Sequence, residues 1–331
     1  MENMFPVTHS ILSQHALASE ILPLYFREST PSCRLLVRGM NDTYLIRSGG
    51  SEYILRAYRH NHRSLSDILH ELDLLQYLHG QGVGVSTPLA RYDSQFLSEV
   101  LAPEGNRYLA VFTYAPGTFR PLTSEIARSY GQAAARLHRA MKFFESNYHR
   151  HHINLKYLLE DRVPWILPLL NHRPKDQLFV SQIGHFLQQQ IDKMSPSLNW
   201  GLCHGDLNGG NCHIDNDGRV TFFDFDCEGP GWPAYDVAVF NWSVRDMPDR
   251  SVALKLWQEY LDAYQSEMPL SAADTTAIPY FVAARQIWLV GLHCEHADEW
   301  TYGNLNDAYF DRRLRILQEL VKEQKWDIMG W

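Results

Sequence analysis

The chain has little cysteine, no long apolar run and no surplus of basic residues, and each shortage removes a class of protein. Five cysteines in 331 residues are too few for a disulfide framework, which small secreted domains build from dense pairs. The stretch nearest to a membrane span, residues 278–292, is broken by Arg285 and Gln286, short of the ~18 apolar residues a crossing needs. The first residues, MENMFPVTHS, lack the basic start and apolar centre of a secretory leader. A cytoplasmic protein without a membrane partner is the expectation. Acidic residues outnumber basic ones, 38 to 30, for a formal net charge of −8. That balance does not suit a protein that neutralises many phosphates, so nucleic acid is not an expected partner. The densest basic cluster, Arg56, Arg59 and Arg63 with His60 and His62, is too short to reverse it.

What is present is an ordinary apolar fraction, 45%, and a rich aromatic one, 12%. The length suggests about two domains or lobes at ~150 residues each, and no internal repeat divides the chain. Residues 33–58 read as short strands separated by the turns Gly39-Met-Asn-Asp42 and Gly49-Gly50, the pattern of hairpins. A helix follows from Ser64, with Leu65, Ile68, Leu72, Leu75 and Leu78 on one face and Gly80 and Gly82 at its end. Runs 86–92 and 107–115 read as two more strands before Pro116-Gly117. Helices are expected over 123–144, 176–193, 251–267, 276–297 and 305–324. One island of strand and loop, residues 200–240, interrupts them. The expected fold class is therefore α+β, with a β-rich unit over residues 1–115, including a helical lead-in over 1–30, and a mainly helical one over 116–331.

The island carries the chemistry. Cys203-His-Gly-Asp-Leu-Asn-Gly-Gly-Asn-Cys-His-Ile214 places an acid, Asp206, on a Gly-flanked loop and an amide, Asn211, shortly after it. The turn 215–218 and the apolar strand Arg219-Val-Thr-Phe-Phe-Asp224 then return a second acid. Two carboxylates and an amide oxygen converging on one point are hard, all-oxygen ligation, which suits Mg²⁺ beside substrate phosphates.

The run His204-Gly-Asp-Leu-Asn-Gly-Gly-Asn211 resembles the catalytic loop of aminoglycoside phosphotransferases, choline kinases and type II homoserine kinases. Phe223-Asp-Phe-Asp226 resembles their metal-binding strand end, and Gly229-Pro230 with Tyr235-Asp236 fits the run that follows it. The resemblance spans residues ~33–240. It implies the protein-kinase-like bilobal fold, a small antiparallel sheet with one long helix plus a larger helical lobe, with ATP between them and the boundary near Pro116. It implies a kinase that transfers the γ-phosphate of Mg-ATP to a hydroxyl of a small molecule: an amino alcohol, amino acid, sugar or aminoglycoside-like compound. Asp206 is the residue that orients and deprotonates the acceptor, and Asn211 and Asp224 hold Mg²⁺. Arg56, standing where kinases have Lys, pairs with Glu71 and holds the α/β-phosphates. The turn containing Gly39 and Asn41 sits where a phosphate-covering loop belongs, and Thr113 and Tyr114 sit where backbone meets adenine. His204 and Asp236 are scaffold. A monomer or homodimer is expected.

Departures from the protein-kinase pattern bear on the acceptor. Asp226 stands where protein kinases have Gly, and Asn208 where they have Lys. Only 11 residues lie between Asp224 and Asp236, too few for a long activation segment. The runner-up is a Ser/Thr protein kinase of the bacterial stress-response type, and the remotest reading is an inactive nucleotide-binding scaffold. A zinc site from Cys203, His204, Cys212 and His213 has the wrong spacing, and adjacent Cys-His pairs on strands point to opposite faces. His149-Arg-His-His152 reads as a solvated helix end. For the acceptor, Glu295, Asp298 and Glu299 suit a polycation, while Trp288, Trp300 and Tyr302 suit a quaternary ammonium. Arg285, a charge within an apolar run, needs a partner and suits an acidic acceptor.

Overall fold

The structure, a computed structural model, describes residues 5–300 and 302–328, without the side chains of Trp300 and Tyr302. It divides into two compact units. The first holds the chain up to Gly117 together with Glu145–His149 and Thr221–Phe223; the second holds Thr118–Phe144, Arg150–Val220 and the chain from Asp224 onward.

The first unit is built on a five-stranded antiparallel sheet. Its strands are β1 (Ser32–Arg38), β2 (Asp42–Ser48), β3 (Ser51–Ala57), β4 (Leu97–Ala102) and β5 (Gly105–Thr113), in the order β1-β2-β3-β5-β4. The β2–β3 turn uses Gly49 and Gly50, both with positive φ (57° and 81°), the conformation of a tight hairpin whose twist matches its strands. Along β2 the alternate residues Asp42, Tyr44, Ile46 and Ser48 are buried. Tyr44 and Ile46 join Leu55, Leu109 and Val111 in a core closed by Leu17 and Leu22 of the N-terminal segment. That segment is a chain of short helical turns between Gln14 and Leu24. Polar atoms on the sheet's buried side are matched: Arg107 Nη2 donates to Asp42 at 2.9 Å and to the Ala57 carbonyl at 3.0 Å. Helix Leu65–Gly80 starts on a capping box formed by Ser64 and Asp67 and buries Ile68, Glu71, Leu72, Leu75 and Leu78.

One expectation fails in this unit. Residues 86–92 form no strand; they contribute an isolated bridge between Pro88 and Phe112, because a proline cannot donate to a continuing ladder. The fifth strand is Leu97–Ala102, at the sheet edge beside β5.

The second unit is helical, with long helices at Ser124–Met141, Pro174–Met194, Pro233–Arg245, Arg250–Glu267, Ala272–Glu295 and Asp307–Gln324. Ser124–Met141 packs along Arg250–Glu267, while Ala272–Glu295 packs against Pro233–Arg245, Pro174–Met194 and Asp307–Gln324. Neighbours on so many sides explain why Ala272–Glu295 is apolar nearly all round. Side chains such as Phe281, Ile287 and Trp288 contribute about 1.5–3 kcal/mol each on burial. Among the described residues no helix is long and apolar enough to cross a membrane.

The island is smaller than the sequence suggests. Pro233–Arg245 is a helix with proline in its first turn, a position where the missing N–H costs nothing. Residues 149–152 are not a helix end; they lie in extended chain before Ile153, and Arg150 within them is buried.

Candidate active site

The loop that carries Asp206 is fixed before its functional residues begin. Strand Gly201–Cys203 pairs with Gly229–Gly231. Asp236, in the first turn of helix Pro233–Arg245, accepts the N–H of His204 at 2.6 Å and of Gly205 at 2.8 Å. His138 Nε2 lies 2.9 Å from the same carboxylate, and its Nδ1 lies 2.7 Å from the Tyr264 hydroxyl. Asp236 is thus a structural acceptor, and His204, fully buried, packs its ring at a tilt 4.3 Å from that of Phe225. Gly205 has φ +80°, and a Cβ there would lie 2.0 Å from the Cys227 carbonyl oxygen. Only glycine fits at that point.

These constraints aim Asp206 and its neighbours. Arg285 Nη2 donates to Asp206 Oδ1 at 2.5 Å, and Asn208 Nδ2 donates to the same oxygen at 2.8 Å. Oδ2 accepts no hydrogen bond from any described residue, and the side chain keeps 24% of its surface open to solvent. Asn211 Nδ2 donates to the Asp206 carbonyl at 2.9 Å, which directs its amide oxygen the other way. Tyr130 donates its hydroxyl to the Asn208 carbonyl at 2.9 Å, bracing the bend between the two.

Asp224 follows the strand Val220–Phe222 and adopts φ 64°, ψ 57°. A non-glycine residue in this left-handed region costs on the order of 1–3 kcal/mol, and such strain concentrates at functional positions. The residues after it are clamped by Arg150, whose Nε donates to the Glu228 carbonyl at 2.7 Å and whose Nη2 donates to the Asp226 carbonyl at 2.5 Å. Arg150 is also ion-paired with the fully buried Glu228 at 2.8 Å. The polar neighbourhood of Arg150 hides this role in the sequence.

Arg285 was noted for needing a partner, and that partner is Asp206. The guanidinium is 2% exposed and lies between the indoles of Trp242 and Trp288, 5.0 and 4.4 Å from their ring centres. Burial alone would favour loss of its proton, but the Asp206 carboxylate and the Tyr235 phenol outweigh that and keep it cationic. Its Nε and the Trp288 Nε1 are buried without a hydrogen-bond partner.

In the first unit the structure brings Arg56 and Glu71 together, Nη1 to Oε1 at 2.6 Å. Tyr58 donates its hydroxyl to the other Glu71 oxygen at 3.0 Å. The turn with Gly39 and Asn41 is held by Arg59, which donates Nη2 to the Gly39 carbonyl at 2.9 Å and its backbone N–H to Asn41 Oδ1 at 3.2 Å. Thr113 donates its backbone N–H to the Thr87 carbonyl at 2.9 Å and accepts the Ser86 hydroxyl on its own carbonyl. That N–H is therefore not offered to adenine. Tyr114 follows it, half-buried.

The other candidates take different places. Burial pushes the Cys212 thiol up to about 12 and the Cys203 thiol well above its ordinary value. Glu295 is ion-paired with Arg162, not open to a polycation, and Glu299 lies 3.8 Å from His296. Trp288 packs against Tyr157 at 5.8 Å as well as Arg285. The side chains of Trp300 and Tyr302 lie outside the described residues.

Comparison with known proteins places the chain in a family. Residues 35–270 match the family model described as the phosphotransferase enzyme family. An uncharacterised protein of Deinococcus radiodurans is 38% identical, with 95% of this chain and 92% of that protein aligned. The amicoumacin kinase of Bacillus subtilis is 26% identical over 83% of each chain. Among solved structures, an amicoumacin kinase in complex with AMP-PNP, Ca²⁺ and Ami superposes with a TM-score of 0.75 at 23% identity, covering 94% of both chains. A microcompartment-associated aminopropanol kinase superposes with a TM-score of 0.76 at 23% identity, covering 93% of this chain and 97% of that one. The fold is the α+β, protein-kinase-like one, and the chain belongs to the phosphotransferase enzyme family.

Proposed function

We propose that this enzyme transfers the γ-phosphate of ATP to a hydroxyl group of a small molecule, with Asp206 as the residue that orients and deprotonates that hydroxyl. The observation that carries the reading is the asymmetry of the Asp206 carboxylate: Oδ1 is held by Arg285 and Asn208 while Oδ2 accepts nothing from the described residues. One oxygen fixes the group and the other is left to take a proton, which is the geometry general-base work requires.

Phosphoryl transfer is catalysed mainly by positioning and charge neutralisation. The donor set fits a hard cation, since Asn211 turns an amide oxygen away from the loop's own hydrogen bonds and Asp224 adds a carboxylate. Asn211 and Asp224 would hold Mg²⁺, which when bound offsets charge on the triphosphate. Arg56, oriented by Glu71, neutralises the α/β-phosphates, and its planar fork can grip two oxygens where a lysine would grip one. Asp236 and Arg150 keep the loop in register. The span from Asp224 to Asp236 is filled by one helical turn, the strand Gly229–Gly231 and the start of a helix. It offers no long segment on which a peptide acceptor could lie, which favours a small molecule.

The test is ADP release from Mg-ATP across sugars, amino alcohols, hydroxy amino acids, aminoglycosides and a Ser/Thr protein substrate, with Asp206→Asn in parallel. Small-molecule-dependent turnover that falls at least 10³-fold in Asp206→Asn is the expected result. Full turnover in Asp206→Asn, or transfer to protein alone, overturns the reading.

A further inference from the structure

The second unit contains a cavity of about 540 Å³ lined by His293, Tyr309, Arg312 and Arg313 together with Asn304 and Asn306. Among the described residues it has two guanidiniums and no acid in its lining. Of the acids near it in sequence, Asp307 pairs with His172 at 2.8 Å, Asp311 with Arg173, and Glu295 with Arg162. Among the described residues neither Arg312 nor Arg313 forms an ion pair, and Arg313 Nε is buried without a hydrogen-bond partner. A guanidinium so placed lacks the anion that its geometry is made to grip.

The cavity and the arginine that holds Asp206 share one helix. His293 stands eight residues beyond Arg285 on helix Ala272–Glu295, a rise of about 12 Å, within the span of a metabolite-sized ligand. Burial, then the cations of Arg313 and Arg285, depress the His293 imidazole to about 4. Two further buried donors without acceptors, Arg285 Nε and Trp288 Nε1, sit on the same helix, on residues 2% and 3% exposed.

Resting on the kinase reading above, we infer that the phosphoryl acceptor carries an anionic group, a carboxylate or a phosphate, and that Arg312 and Arg313 bind it while its hydroxyl faces Asp206. A cationic amine in this cavity would face the two guanidiniums with no carboxylate to receive it.

The test titrates the full chain calorimetrically with four probes of similar size: glycerol, D-glycerate, glycerol 3-phosphate and ethanolamine. Wild type is compared with Arg313→Lys and with the double variant Arg312→Gln/Arg313→Gln. D-glycerate or glycerol 3-phosphate is expected to bind at least tenfold more tightly than glycerol. The preferred one of the two identifies carboxylate or phosphate as the anion. The double variant loses that preference, and Arg313→Lys keeps part of it. If neither anionic probe outbinds glycerol, if the double variant keeps the preference at an unchanged melting temperature, or if ethanolamine binds best, the inference is wrong. Should the double variant fail to fold, the probe ranking on wild type and the Arg313→Lys comparison carry the decision. Parallel ADP-release assays separate the two readings. Turnover on neutral or cationic alcohols with KM unmoved in Arg313→Lys keeps the kinase and removes the anion pocket. Arginine-dependent anion binding without any phosphoryl transfer keeps the pocket and removes the kinase.

Discussion

Arg285 grips Asp206 from the middle of a buried helix, Nη2 to Oδ1 at 2.5 Å, across 79 residues of sequence. Its guanidinium is pressed between two indoles, so its position is set by packing before any substrate arrives. The carboxylate inherits that rigidity.

Replacing Arg285 with alanine should lower kcat by about 10²-fold, the scale of losing a well-placed orienting contact, while KM for ATP changes little. Added guanidinium chloride at millimolar concentration should restore part of kcat. A residue needed only for packing would show no such rescue. Arg285→Lys should be weaker than wild type because a point charge cannot replace the fork.

The Arg150–Glu228 pair makes a stability prediction. Arg150→Met leaves a fully buried carboxylate without its cation, a change that costs about 3–5 kcal/mol. The double variant Arg150→Met/Glu228→Met should recover most of that loss, as read by denaturant titration. An additive double variant would mean that the bonds from Arg150 to the Asp226 and Glu228 carbonyls, not the ion pair, hold the loop.

Gly205→Ala should be severe on both counts. The added methyl meets the Cys227 carbonyl at 2.0 Å and sits on a backbone at φ +80°, so the loop must shift or the chain must lose about 2–4 kcal/mol. Melting temperature and turnover should both fall.

Arg56→Ala should raise KM for ATP about 10–100-fold, the effect of 1.4–2.8 kcal/mol of lost phosphate interaction. Glu71→Gln should produce a smaller change in the same direction, since Tyr58 still holds that side chain. Unchanged nucleotide affinity in Arg56→Ala would remove Arg56 from the phosphate site.

His293 predicts a pH dependence. Its folded-state value is depressed from 6.5 to about 4, by burial first and then by Arg313 and Arg285. Between those two values the unfolded chain binds a proton that the folded chain does not. Stability is therefore complete above about pH 6.5 and declines as the pH falls toward 4, by on the order of 3 kcal/mol. His293→Gln should flatten that part of the stability curve.

What the sequence made legible follows from which interactions are local. Asp206, Asn211 and Asp224 stand on one loop and hairpin, so their spacing was enough to single them out as candidates. Arg56 and Glu71 lie on a strand and the helix after it, 15 residues apart, and the family resemblance supplied their pairing. Arg285 could be read as a charge in want of a partner, but nothing in the sequence names a residue on another element. Arg150 was misread because its neighbours are polar, while its burial is imposed by carbonyls that belong to residues 225–228. Helix Pro233–Arg245 was missed because it is buried on most faces and so shows little amphipathic period. The strand Leu97–Ala102 escaped notice because its sequence, Leu-Ser-Glu-Val-Leu-Ala, holds a single β-branched residue.

The backbone at Asp224 has an effect that runs opposite to ordinary damage. Asp224→Gly removes the carboxylate and at the same time relaxes a left-handed residue at φ 64°, a relief of about 1 kcal/mol. The variant that is least able to hold a cation should then be the one that melts highest. A screen for thermostability alone would select it, and a screen for turnover would discard it. At this one residue durability and work are exchanged directly, through a single pair of torsion angles.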